Sequence, residues 1–332
     1  MTEHDWALQL EAAERRLSGL IRPTPARSHP GLNEQLQKSL VYKDEGAQLT
    51  GSFKIRGAYN ALMRLNDGGT ALGVITYSSG NFGKALAYAA AHKETTCVVV
   101  ASAAAPIHKL RGIADAGGEL VLHDRSEDRA GLTARLARER GLAFISPYDD
   151  PMVIAGQGTV ACELLRDASN LDAVVVPVSG GGLLAGCAIA AHVCGSGTRV
   201  FGVEAAAVPR MSRSLRRGRR VSVIGRPTVA DALRVNCPGE VTFPIISSLV
   251  EDVVVVHDDE LLAAMAMLRH FLGMRCEPSA AAPIAALLAR RLPDDLKHVG
   301  VVLTGSNIAR NHFDELLQHL PAEDGYAASS PH

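Results

Sequence analysis

The sequence predicts an α/β protein on two observations. Short β-branched runs alternate with longer segments whose apolar residues recur at three- and four-residue spacing, and most of the runs stop at glycine, serine or a helix start. At 332 residues the chain suits about two domains. In order, a stripe of Leu10, Ala13 and Leu17 marks a helix over Ala7 to Leu17, and the apolar spacing after Lys54 marks another over Lys54 to Leu65. Strands at Val74 to Thr76, Thr96 to Ala101 and Glu119 to Leu122 alternate with helices at Gly83 to His92, His108 to Ala116 and Arg129 to Arg140. A helix over Gly158 to Arg166 precedes strand Ala173 to Pro177, helix Leu183 to His192 and strand Arg199 to Val203. The valine run Asp252 to Val256, helices Asp259 to Leu272 and Ala280 to Arg290, and strand Gly300 to Leu303 complete the series. The tail from Pro321 is polar and expected to fray.

Composition excludes several function classes. With 34 Lys+Arg against 35 Asp+Glu the formal charge is -1, which gives no electrostatic footprint for nucleic acid. The one basic run, Arg213, Arg216, Arg217, Arg219 and Arg220, reads as a solvated surface loop. No apolar segment reaches the roughly 18 residues that span a bilayer, and the N-terminus lacks a basic-then-apolar leader, so a cytoplasmic protein without membrane partners is expected. Cys97, Cys162, Cys187, Cys194, Cys237 and Cys276 form no C-x-x-C pair, against a zinc site or disulfide framework and in favour of buried thiols. Aromatics are 4% and alanine is abundant, so the core rests on small aliphatic groups between closely packed helices.

Four segments carry chemistry. In Thr50-Gly51-Ser52-Phe53-Lys54-Ile55-Arg56-Gly57-Ala58, a lysine opens an apolar helix, where desolvation lowers its pKa and frees the amine as a Schiff-base nucleophile; alone, such a lysine is usually solvent-facing. Ser78-Ser79-Gly80-Asn81-Phe82-Gly83, between strand and helix, is a carboxylate receptor or an ordinary N-cap turn. Ser179-Gly180-Gly181-Gly182-Leu183 lets main-chain N–H groups close around a phosphate at a helix N-terminus. A dinucleotide site is the alternative, with Glu204 ending the next strand as the ribose-binding acid, but the glycines do not follow G-x-G-x-x-G. Thr304-Gly305-Ser306-Asn307 places a hydroxyl at a strand end, where α/β folds gather ligands.

In order along residues 5 to 315, these segments resemble the fold type II pyridoxal-phosphate enzymes (tryptophan synthase β-like), in the threonine/serine dehydratase and serine racemase branch. The resemblance is also carried by Lys43, Glu45, Ala155-Gly156-Gln157-Gly158-Thr159, Asp231, Pro238-Gly239-Glu240 and Glu277-Pro278-Ser279. It implies two domains, each an open α/β sheet flanked by helices: a larger one from residues 1–72 and 150–320 and a smaller, mobile one from 73–149, with the tail 321–332 outside both. It implies pyridoxal 5'-phosphate as cofactor, with Lys54 bound to its aldehyde and acting as the base on the substrate α-proton. Phe53 would back the ring, Asn81 donate to its hydroxyl, Gly180, Gly181, Gly182 and Leu183 hold the phosphate, and Glu277 and Thr304 complete the cofactor site. Ser78, Ser79, Gly80, Asn81, Phe82 and Tyr148 would bind substrate, Ser79 standing at the acid/base position that racemases of this branch use opposite the lysine. A small amino acid is the expected partner, and a homodimer the expected assembly.

Thr304 would face the pyridine nitrogen. A carboxylate there would keep the ring a strong electron sink; a hydroxyl does not, which favours prompt expulsion of a β-leaving group. The expected reaction is dehydration and deamination of a β-hydroxy-α-amino acid, threonine, serine or a bulkier analogue, to a 2-oxo acid and ammonia. An amino-acid racemase on the same scaffold, the β-replacement of cysteine synthases, and, from other classes, a nucleotide-binding oxidoreductase or a silent binding protein are the alternatives. Departures from the pattern bear on substrate and metal. Phe82 stands for histidine, Tyr148 for asparagine and Ala232 for glycine, pointing to a bulkier or aromatic β-substituent such as that of phenylserine. Relatives bind Mg²⁺ or Ca²⁺ through an acid after the strand matching Arg199 to Val203 and a second acid six residues on. Glu204 is the one candidate metal ligand here, and Arg210 occupies the second position, where it would repel the ion and replace its charge. No room for a regulatory domain follows the Thr304 segment, so feedback of that kind is not expected.

Overall fold

The structure, a computed structural model, describes residues 1–66, 71–124, 128–194 and 197–318. Among them, ten strands form two sheets: β1 (Ala26–Arg27), β2 (Ser39–Asp44), β3 (Gly73–Tyr77), β4 (Thr96–Ser102), β5 (Glu119–His123), β6 (Ala143–Phe144), β7 (Ala173–Pro177), β8 (Arg199–Ala205), β9 (Asp252–Val256) and β10 (His298–Leu303). One sheet runs β1-β2-β10-β7-β8-β9 and the other β5-β4-β3-β6. Every pairing is parallel except the antiparallel β1 on β2. Parallel strands need crossovers that put helices on both faces, so their sequences read as continuous apolar runs. Side-chain alternation then splits each run between two cores: Val175 and Val301 point into one apolar cluster, Val174, Val176 and Val302 into the other. The four-stranded sheet does the same, with Val74 and Val99 on one face and Ile75, Val98 and Val100 on the opposite one.

The expected α/β class holds, and strands Ala173–Pro177 and Asp252–Val256 and helix Arg129–Arg140 fall where the sequence put them. Several elements differ. The helix expected from Gly158 begins at Pro151, capped by Asp150, whose carboxylate accepts from Met152 and Val153 N–H. Gly156 and Gly158, both inside this longer helix, serve close packing: a Cβ on Gly156 would lie 2.6 Å from the Arg56 carbonyl, and one on Gly158 2.8 Å from that of Gly186. β2 escaped the sequence reading because buried Lys43 interrupts its apolar pattern, and β1 and β6 are two residues long. The stretch expected over Ala280 to Arg290 is a 3₁₀ turn, Pro278–Ala281, followed by a short helix, Ala282–Leu288. Helices Pro30–Leu36, Arg210–Arg217, Thr242–Leu249 and Arg310–Gln318 were unforeseen.

The basic run is not all loop: Arg213, Arg216 and Arg217 sit on the helix Arg210–Arg217, which stops at Gly218 in the left-handed region, φ 61°. All five arginines are exposed, as a solvated face requires. The thiols divide: Cys97, Cys162, Cys187 and Cys276 are buried, but Cys194 is exposed and Cys237 half-buried. No described helix is long and apolar enough to cross a membrane. The expected tail from Pro321 lies outside the described residues.

Candidate active site

Three of the four chemical segments lie at the carboxyl ends of strands: Ser78–Asn81 follow β3, Ser179–Gly182 follow β7, and Thr304 follows β10. Lys54 opens the helix Lys54–Asn66, and the residues before it are tied to β10: Phe53 N–H donates to the Thr304 carbonyl at 3.1 Å, and Ser52 bridges Gly305. Two residues on, Arg56 is anchored in the interior. Its Nε and Nη2 donate to Glu45 at 2.8 Å each, and Nη1 and Nη2 donate to Glu163 at 2.7 and 2.9 Å. Lys43 donates to Glu163 at 2.6 Å, so two cations meet two carboxylates. Arg56, Glu45 and Lys43 are fully buried, and ions out of water persist only when paired in this way.

The Lys54 amine donates to the Pro147 carbonyl at 3.1 Å and lies 4.8 Å from the Phe53 ring centroid and 5.8 Å from that of Phe82. Burial lowers its pKa to about 8, against the opposing charge of Glu277. Roughly a quarter of such amines are neutral at pH 7.5, against about one in a thousand for an ordinary lysine. Phe82 is only 2% exposed and packs among Ile55 and Leu86; its effect falls on the lysine. Glu277, also buried, is pushed up by desolvation while Asn81 Nδ2 donates to it at 2.9 and 3.1 Å. Asn307 in turn donates to Asn81 Oδ1 at 2.9 Å. The Asn81 amide thus spans from the four-stranded sheet's side to the six-stranded one.

One cavity of about 690 Å³ is lined by every residue expected for cofactor and substrate: Phe53, Lys54, Ser78 to Phe82, Tyr148, Gly180 to Leu183, Glu277 and Thr304. Two helix N-termini open on it, those of Asn81–Ala91 and Gly182–Val193, and no side chain caps either. The first N–H groups of a helix have no partner within it, so each end suits an anion. Ser179 Oγ, on the same wall, is buried without a partner. The glycines of the loop also answer to packing behind it. A Cβ on Gly180 would lie 2.3 Å from the Tyr148 ring, and Gly181, at φ +107°, would meet Thr242 Oγ1 at 2.7 Å. Gly181→Ala is therefore expected to cost about 1–3 kcal/mol, read as a lower Tm. Ser79 Oγ accepts from Ser102 N–H at 2.8 Å, which leaves its proton free to donate.

Sequence reading missed Tyr77, Lys109, Arg129, Arg234 and Cys237 on the cavity wall. Lys109 is ion-paired with Asp231, and the Arg129 guanidinium lies 4.5 Å from the Tyr77 ring centroid. Loop ends and helix starts of this sort carry no periodic signal. Glu204 lies off the cavity lining and is fully buried, accepting from Met211 and Ser212 N–H at 2.9 Å each and lying 3.5 Å from Arg210. Among the described residues no acids gather there as a cation site.

The glycine cradle, the orphan hydroxyl and the desolvated lysine fit a phosphate-bearing aldehyde. Comparison with known proteins agrees. L-threo-3-hydroxyaspartate ammonia-lyase of Saccharomyces cerevisiae is 37% identical over 314 residues, 94% of this chain and 96% of that protein. The crystal structure of serine racemase from Dictyostelium discoideum superposes with a TM-score of 0.86 at 36% identity, covering 91% of this chain and 98% of that one. The crystal structure of T.th. threonine deaminase gives 0.84 at 37%, with the same coverage of 91% and 98%. These are fold type II enzymes, and the model of the family described as "Pyridoxal-phosphate dependent enzyme" matches residues 17–305; the chain belongs to that family.

Proposed function

We propose that the protein is an ammonia-lyase that removes water and then ammonia from a β-hydroxy-α-amino acid, yielding a 2-oxo acid. The observation that carries this reading is a single cavity holding a lysine amine at about pKa 8, two uncapped helix N-termini and the uncharged Thr304. Similarity to ammonia-lyases acting on threonine and 3-hydroxyaspartate supports it. Bound pyridoxal phosphate supplies the electron sink that makes a substrate α-proton removable. The chain's own groups do the rest. Lys54 holds the cofactor and then takes the α-proton; Gly180 to Leu183 hold the phosphate. The N–H groups of Ser79 to Asn81 hold the substrate carboxylate, and Ser79 Oγ is placed to give a proton. We assign residues 73–149 as a smaller domain that closes over substrate and excludes water, supported by the Lys109–Asp231 and Asn81–Glu277 contacts.

The test is a panel of serine, threonine, 3-hydroxyaspartate and phenylserine assayed for oxo acid and ammonia. Release of both from at least one is expected; release from none overturns the reading. Phe82 is buried beside Lys54, which leaves Tyr148 and Ala232, both on the cavity lining, as the positions on which an aryl preference rests, and higher kcat/KM for serine and threonine than for phenylserine would end that part. A racemase is the second reading, favoured by the likeness to serine racemase, and D-amino acid forming faster than oxo acid would select it.

A further inference from the structure

Arg210 is fully buried, yet the mechanism above makes no use of it. Its guanidinium sits in a cage of oxygens. Nε donates to the Ser179 carbonyl at 3.0 Å; Nη1 donates to the carbonyls of Val208 at 2.8 Å and Leu233 at 3.0 Å; Nη2 donates to that of Val178. Glu204 Oε2, 3.5 Å away, supplies the countercharge. Three chain segments are drawn onto one cation: the loop that becomes the glycine cradle, the exit from β8, and the 3₁₀ turn Asp231–Leu233, whose Asp231 pairs with Lys109 across the cavity. In a trans peptide the carbonyl of one residue and the N–H of the next point in opposite directions. Gripping the Val178 and Ser179 carbonyls therefore aims the Ser179 and Gly180 N–H groups away from Arg210, and both residues line the cavity.

The divalent ion implied by the family resemblance does not fit here. Glu204 already accepts two backbone N–H groups, and the remaining space is filled by a positive side chain. Hard cations want several free oxygens, and these are taken.

We propose that Arg210 is a positioning residue, a cation built into the chain that orders the phosphate cradle and makes its order independent of Mg²⁺ or Ca²⁺. The test uses the holoenzyme and its variants, with cofactor Kd from equilibrium dialysis and Tm from calorimetry. In wild type, EDTA, Mg²⁺ and Ca²⁺ leave Tm and Kd unchanged. Arg210→Ala raises the cofactor Kd by roughly tenfold or more, in line with lost hydrogen bonds to a charged donor, while Lys54 still attaches cofactor at saturating concentration. Arg210→Lys keeps the charge and loses the fork, so its Kd falls between the two. Arg210→Asp sets a second acid beside Glu204 and acquires a Tm that Ca²⁺ raises and EDTA lowers. A wild-type Tm or Kd that moves with EDTA or Ca²⁺ overturns the proposal, as does an unchanged Kd in Arg210→Ala. Should Arg210→Ala not fold, Arg210→Lys decides: native circular dichroism with an unaltered Kd overturns it equally. None of these readouts depends on which amino acid is turned over.

Discussion

Lys54→Ala is expected to lose turnover by about 10⁴-fold or more, because the proposed reaction uses this one amine as both anchor and base, and removing a positioned base alone costs about 10² to 10⁴. The cavity should still take up the phosphate, since Gly180 to Leu183 are unchanged; the variant binds pyridoxal phosphate reversibly and borohydride fixes none of it to the chain. The wild-type pH dependence follows from the same group. Burial favours the neutral amine, so the fraction able to attack an aldehyde rises as pH climbs through about 8 and then levels. The rate of covalent cofactor attachment to apoprotein should follow that curve between pH 6.5 and 9. A rate still climbing toward the ordinary lysine value of 10.5 would show that the amine is solvated and the site misread.

Arg56→Met is expected to destabilise the protein by about 3–5 kcal/mol, since it strands two carboxylates in the interior with one cation between them. Glu45 is fully buried and Glu163 is 18% exposed, so water rescues neither well. Against a total stability of about 5–15 kcal/mol this is a large share. Calorimetry should show a Tm lowered by about 4–7 °C, and a change under 2 °C would mean the network contributes little. The sign with pH follows from Glu163. Burial alone would raise it, but Arg56 and Lys43 outweigh that and hold it below its ordinary value of 4.5. Its contribution is therefore complete above that value and is lost as pH falls through the lower folded pKa, so wild type and variant should converge in stability on acidification.

Much of the cavity was legible in the sequence because its residues sit in runs of small, polar or glycine residues between strand and helix, a local pattern that β3, β7 and β10 each repeat. What was illegible depended on distance along the chain. The buried role of Lys43 needs Glu163, 120 residues away, and so β2 looked polar. The packing role of the glycines at 156 and 158 needs helices that start far away along the chain, at Lys54 and Gly182. The cavity wall at Lys109 and Arg129 is set by how the two sheets face each other, which no window of sequence contains.

Those glycines have one further consequence. The helices that begin at Lys54 and at Gly182 are both pressed, backbone against backbone, onto the helix Pro151–Asp167: a Cβ on Gly156 would meet Arg56 O, and a Cβ on Gly186 would meet Ile154 O at 2.5 Å. The side chains of Gln157 and Val153 fill what space is left against Gly57, so the three helices are held at close and defined separations. The separation between the helix start at Lys54 and the helix start at Gly182 is thereby set by backbone contacts made on folding, before any ligand arrives.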